Sequence, residues 1–263
     1  MTKTSISWVL GPDGKPGFSW NPVVGCRAVS PGCQNCWAAR LASTRLDHLP
    51  EYKGLAKDGK WTGGPRLVPR RLGEPLSKRK PAGVFVSDMG DLFHAAVPEE
   101  FIEAVWRTMA AASWHRFYIL TKRPARMHKW IASIKGDGWP LPNVWIGVSC
   151  EDQATADERI PELLRTPAAI RYVSFEPALE KVKWRREWIS GPGTVDQIIL
   201  GCESGPGARA MPKDAAEDLI AQLAAPLPCK VAFFYKQAMV DGRLVREPLA
   251  YGRTWRQFPE VRR

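Results

Sequence analysis

No apolar run in this chain approaches the roughly 20 residues that a helix needs to cross a bilayer. The first residues, MTKTSISWVL, also lack the long apolar stretch and small-residue cleavage site of a secretion signal. The expected location is the cytoplasm, with no membrane partner. Histidine is scarce, at four residues, and His94, His115 and His128 have no mutual spacing that suggests a metal site. Acidic residues are under-represented: 27 Asp and Glu stand against 38 Lys and Arg, giving a net charge of +11. That balance favours a polyanionic partner bound through phosphates, nucleic acid and above all DNA. No internal repeat is evident. Hydrophobic residues at 44% and charged residues at 25% exclude disordered and fibrous classes. A chain of 263 residues is long enough to bury one large α/β core.

The simplest organisation is therefore a single domain over 1–263. It carries a basic Gly/Pro-rich insertion at about 54–83 and a basic tail at about 238–263. Between 60 and 80, Lys60, Arg66, Arg70, Arg71, Lys78, Arg79 and Lys80 meet a single acid, Glu74, and the tail adds Arg253, Arg256, Arg262 and Arg263. Such runs read either as a solvated surface or as a grip on phosphates, with Arg70 and Arg71 the substrate-binding candidates. Most of the 12 Trp residues belong in a core. An exposed one beside Arg is suited to stacking on an extruded base.

Six cysteines in a cytoplasmic chain point away from a disulfide framework and towards metal binding or catalysis. Cys26, Cys33 and Cys36 fall in one C-x6-C-x2-C loop punctuated by Pro22, Gly25, Pro31 and Gly32, which lets three sulfurs turn towards one centre. Thiolates are soft ligands for iron or zinc. A structural zinc needs a fourth ligand, yet His48 lies well beyond Cys36, and Cys150, Cys202 and Cys229 are isolated. Three thiolates without a fourth suit a four-iron cluster whose remaining iron is open to a small molecule. A 4Fe-4S cluster on these three residues is the expectation.

The loop resembles that of the radical S-adenosylmethionine (SAM) superfamily, although the first gap is six residues rather than three and Asn35 stands where an aromatic residue is usual. A closer resemblance is to phage- and prophage-encoded proteins with this three-cysteine loop. It is carried by Trp20-Asn21-Pro22, Ser30-Pro31-Gly32-Cys33, Asn35-Cys36, Leu120-Thr121-Lys122-Arg123-Pro124, Trp145 to Ser149, Ser174-Phe175-Glu176-Pro177 and Gly201 to Arg209, over about Ser5 to Gln237. The resemblance implies that SAM chelates the open iron and is cleaved reductively to a 5′-deoxyadenosyl radical. The partners it implies are a one-electron reductant and a phage setting in a bacterial host.

Short β-rich runs occur at Val84–Ser87, Phe117–Thr121, Val144–Ser149, Tyr172–Phe175, Ile198–Gly201 and Val231–Tyr235. Near-continuous apolar runs suit buried parallel strands. Amphipathic helical stretches are expected at Trp37–Leu46, Pro98–Ser113, Pro124–Ile134, Gln153–Leu164 and Pro212–Leu223, several opened by proline. This alternation predicts an α/β fold, an open or partial (β/α) barrel of about six parallel strands, with ligands gathered beyond the C-terminal strand edges. Polar residues follow each strand. Ser87, Asp88, Thr121, Lys122, Ser149, Glu151, Glu176 and Glu203 form the expected SAM shell, and Arg123, Lys236 and Gln237 join the substrate contacts. Asp91 and Ser204 also follow strands. Helix caps and loop salt bridges are the competing reading for each. Cys150 and Cys202 are expected to be buried and structural.

The leading functional expectation is a radical SAM enzyme modifying nucleic acid. Its specific form is hypermodification of a phage DNA pyrimidine, with isomerisation of an aminoacyl-thymine substituent as the sharpest version. The alternatives are a non-catalytic, metal- or cluster-containing DNA-binding protein, and a radical SAM enzyme acting on a protein or small metabolite.

Overall fold

The protein is described by a computed structural model that covers residues 1–134, 139–224 and 230–260. Along the chain, β1 (Thr2–Lys3), β2 (Phe18–Trp20) and β3 (Val23–Val24) lead through the cysteine loop to α1 (Trp37–Ala42). Then come β4 (Ala56–Lys57), β5 (Lys60–Trp61), β6 (Arg66–Leu67) and α2 (Glu74–Ser77). The regular alternation starts at β7 (Gly83–Val86) and α3 (Glu99–Ala111). It continues through β8 (Arg116–Thr121), α4 (Pro124–Ser133), β9 (Val144–Cys150), α5 (Gln153–Arg165), β10 (Ile170–Phe175), α6 (Arg186–Ile189), β11 (Gln197–Gly201) and α7 (Ala215–Ala224). The chain closes with β12 (Ala232–Val240) and β13 (Arg243–Arg246).

These strands build a mixed α/β fold around one nine-stranded sheet, ordered β1-β2-β7-β8-β9-β10-β11-β12-β13. The strands from β2 to β12 run parallel to their neighbours, while β1 and β13 are antiparallel edges. All six expected strands are present. The seventh parallel strand, β2, is only three residues long, too short for a readable period, and its place comes from pairing with β7.

Side-chain alternation explains why the central strands are apolar on both faces. Val84, Val86, Phe117, Ile119, Val144, Ile146 and Val148 belong to the main core with residues of α3, α4 and α5. The intervening residues Phe85, Tyr118, Trp145, Tyr172 and Phe234 form a second core with Trp8 and Val9 of the N-terminal segment. Trp8 packs 5.0 Å from Phe85, 5.7 Å from Tyr118 and 5.6 Å from Tyr172, ring centre to ring centre. Tyr172 lies across Gly147, where a Cβ would stand 2.5 Å from its ring. The Tyr118 and Tyr172 hydroxyls donate to the carbonyls of Leu10 and Ile119 at 2.8 and 2.9 Å, so these buried polar tips are satisfied. Trp8→Ala is expected to cost about 3–5 kcal/mol of stability, read as a lower urea midpoint. A change below about 0.5 kcal/mol would show that Trp8 does not anchor this face.

The segment from 54 to 83 is not a plain linker. It holds the β4–β5 hairpin, β6 paired with β3, and α2. Tyr52, Leu55, Ala56 and Val68 share a small core with Val24, Ala38, Ala39, Ala42 and Met89. Helix α1 stops at Ala42, short of Leu46, as the Ser43 and Thr44 hydroxyls bond back to the Arg40 carbonyl. The C-terminal stretch also packs: Phe258 contacts the Phe234 ring at 5.5 Å and Trp255 contacts Phe233 at 5.7 Å. Cys229, Arg262 and Arg263 lie outside the described residues.

Candidate functional site

A cavity of about 410 Å³ opens at the C-terminal edge of the parallel strands. Cys26, Cys33 and Cys36 line it. So do Ser87, Asp88, Thr121, Lys122, Arg123, Ser149, Glu176, Glu203, Lys236 and Gln237. Residues from six strand ends meet there because parallel strands in chain order carry all their outgoing turns to one edge. Glu151, Arg70 and Arg71 are not in the wall. Arg70 and Arg71 both pair with Glu51, and Arg71 also donates to the Asn21 carbonyl, so the two arginines brace the segment around β6.

Three buried ionic contacts hold the cysteine loop. Asp91 accepts from the backbone of Phe93 (2.9 Å), the Thr121 hydroxyl (2.7 Å) and the Arg123 guanidinium (2.7 Å). The same guanidinium reaches Cys26 Sγ at 3.6 Å and the Arg27 carbonyl at 3.0 Å. Glu151, fully buried, takes bonds from Lys122 (2.9 Å), Arg159 (3.1 Å) and the backbone of Gly32 (3.1 Å). A Cβ at Gly32 would lie 2.8 Å from Lys122 Nζ and 2.9 Å from the Glu151 carboxyl carbon, so a larger residue there would have to displace the ends of these two side chains. Burial opposes the Glu151 charge, but Lys122 and Arg159 hold its carboxyl below the usual range. Glu151 thus sits beneath the loop as its anchor.

The third contact is Glu203. Its carboxylate accepts from Asn35 (2.8 Å) and from Arg209 through backbone and side chain, with a shortest bond of 2.6 Å. Arg209 in turn donates to the Pro31 carbonyl at 3.0 Å. Burial alone would raise the Glu203 carboxyl, yet the bonds from Arg209 and Asn35 bring it down to about 2. A depressed folded-state value contributes stability above the unfolded carboxyl's ordinary 4.5, lost as pH falls towards 2. The urea stability gap between the wild type and Glu203→Gln is therefore expected to be widest above pH 4.5 and to shrink on acidification. A gap independent of pH would refute this ionic anchor.

Much of the expected SAM and substrate shell is bonded within the protein. The Ser149 hydroxyl donates to the Glu176 carbonyl at 3.2 Å, Glu176 pairs with Lys236 at 2.7 Å, and Gln237 donates to the Cys202 carbonyl at 2.8 Å. Asp88 is gripped by Ser19 and Asn21, and burial raises its carboxyl above the usual range. Ser87 is buried at a φ of +57°, and its hydroxyl has no protein partner among the described residues. Ile6, Trp8, Phe85 and Leu120 give the wall apolar area, while Trp37 stands about half exposed beside Cys36.

The three loop cysteines are free thiols, each partly exposed. Burial pushes the Cys26 thiol up to about 12, with Asp91 adding to the rise and Arg123 opposing it, and burial also raises Cys36. Cys150 is fully buried, against the Thr155 carbonyl, and burial takes its thiol to about 12, as suits a structural role. Cys202 is buried but touches the cavity. Among the described residues no three His, Cys, Asp or Glu side chains close on a point that would hold a metal ion. The loop thiols nevertheless share one wall and supply a soft donor set suited to a cluster, so Cys26, Cys33 and Cys36 are the residues that would hold one. Sequence reasoning placed Asp91 only in the general ring of strand-end polar residues and left Arg209 without a role. Asp91 was visible as a strand-end acid and Arg209 as the end of the Gly201–Arg209 phrase, but their partners are remote in the chain.

No helix among the described residues is long and apolar enough to cross a membrane. Comparison with curated proteins and with solved structures finds no match. A family model described as "Protein of unknown function (DUF5131)" matches residues 3–259, nearly the whole chain, and the protein belongs to that family.

Proposed function

We propose that this protein is a radical SAM enzyme that modifies nucleic acid, with a 4Fe-4S cluster on Cys26, Cys33 and Cys36. The observation carrying this reading is the placement of three free thiols from one loop on the wall of a cavity ringed by strand-end polar residues. A cluster there would supply the electron for reductive SAM cleavage, chemistry that ordinary acid and base groups cannot perform. The chain's own residues supply the rest. Ser87, Asp88 and Glu176 offer bonds to an ammonium or ribose, Lys122 and Lys236 offer positive charge, and Trp8, Phe85 and Leu120 offer an apolar wall. The singly wound strand order supports reading the sheet as an open (β/α) barrel with this mouth.

The +11 charge supports DNA as the substrate polymer, and reductive SAM cleavage would call for a one-electron donor as the second partner. The phage-family resemblance carries the finer proposal, isomerisation of an aminoacyl-thymine substituent in a bacterial host's cytoplasm. The test is anaerobic purification. A brown protein absorbing near roughly 400 nm, whose spectrum shifts on adding SAM, is expected of such a cluster, and stoichiometric zinc without iron would overturn the reading. Reduced enzyme, SAM and phage-type DNA would then give a nucleoside of altered retention and unchanged mass.

A further inference from the structure

The C-terminal hairpin is an unusual surface feature. β12 and β13 meet at Asp241-Gly242, both at positive φ (47° and 74°), which is the signature of a tight two-residue hairpin turn. The register pairs Gln237 with Arg246, Ala238 with Val245, Met239 with Leu244 and Val240 with Arg243. Since side chains alternate with period two, the Gln237–Arg246 pair and the Met239–Leu244 pair share one face. Gln237 and Arg246 line the cavity. Met239 and Leu244 therefore extend that face outward by about 7 Å, two residues of strand rise. They are 44% and 43% exposed; on the opposite face Ala238 is buried in the main core, while Val240 beside the turn is 45% exposed. Arg246 shares the face of the apolar pair, Arg243 stands next to Leu244 on the opposite face, and both arginines are exposed.

We infer that this hairpin is a finger that enters a nucleic-acid duplex, with Met239 and Leu244 wedged between base steps while a base is drawn into the cavity beneath. The inference rests on the nucleic-acid reading above and gives it a docking element. Unbranched and branched aliphatic side chains are the usual wedges in proteins that unstack DNA. A base must leave the stack before chemistry can reach it in a closed site. The two arginines place positive charge where the two backbones would pass, and the wedge rises from the cavity wall itself, so the vacated position and the receiving site are adjacent.

The test compares the full-length protein with Met239→Ala/Leu244→Ala. Its probes are a single-stranded oligonucleotide and a duplex with 2-aminopurine beside a thymine–thymine mismatch. The expected result is a wild-type fluorescence rise on duplex binding that the variant loses. Duplex affinity should fall by about tenfold, with single-strand affinity and thermal midpoint within about twofold and a few degrees of the wild type. An equal rise in both proteins, or none in the wild type despite duplex binding, overturns the finger but leaves the nucleic-acid reading standing. Failure to bind either probe overturns both. A wild-type dimer that the substitutions dissociate, measured by light scattering, would assign the apolar pair to contact between copies and overturn the finger.

Discussion

Replacing Cys26, Cys33 and Cys36 together by alanine is expected to abolish iron binding, from about four irons per chain to near zero, and to bleach the absorbance near roughly 400 nm. The fold should persist. The loop's thiols contribute little to either large core, which is built from strand and helix residues on both faces of the sheet. The Glu151–Gly32 and Glu203–Arg209–Pro31 contacts would still fasten the loop. A thermal midpoint within a few degrees of the apo wild type is the expectation. Because ligating thiols must lose their protons, and burial raises the Cys26 and Cys36 thiols, loading of the wild type should become more favourable as pH rises. Iron retained by the triple variant would show that the cluster, if present, sits elsewhere.

The second large effect is expected at Asp91. Its carboxylate is 5% exposed and carries Arg123, itself 14% exposed, at 2.7 Å. Asp91→Ala leaves a nearly buried guanidinium without its counter-charge and leaves the Phe93 amide and Thr121 hydroxyl without their acceptor. Removing one partner of a buried pair costs about 3–5 kcal/mol. The guanidinium's partial access to water places this case towards the lower end. Asp91→Asn keeps the acceptor for the Phe93 amide and the Thr121 hydroxyl but turns an NH2 donor towards Arg123 and the Lys122 amide, so a loss of about 1–3 kcal/mol, smaller than that of the alanine variant, is expected. Urea midpoints give both numbers. Arg123 also holds Cys26 and Arg27, so both variants should retain less iron under chelator challenge than the wild type. Variants as stable and as iron-rich as the wild type would remove Asp91 from the site's support.

Much of the fold was legible because its signals are local. The six β-rich runs and the helices opened by Pro98 and Pro124 match observed elements, since apolar runs bounded by turn residues and proline at a helix start need no knowledge of distant partners. What was illegible depends on partners far apart in sequence. β2 exists through its pairing with β7 some 65 positions later (Phe18 with Val84). The packing of the insertion at 54–83 could not be read locally because its small core borrows Val24, α1 and Met89. Glu151 looked like a cofactor ligand because it follows a strand, but Arg159 and Lys122 close on it once the chain folds.

At the site, the sequence alone determined that Cys26, Cys33 and Cys36 would come together in one short loop, whose glycines and prolines set its turns. It also determined that polar residues would follow each strand. Only the tertiary structure decided that those strand ends share one cavity, that Glu151, Glu203 and Asp91 anchor the loop, and that the hairpin stands at its mouth. The physical reason is reach. Side-chain chemistry and turn geometry are written within a few residues, whereas ion pairs and cavity walls form between groups 30 to 170 positions apart, as with Asp91 and Arg123 or Asn35 and Glu203.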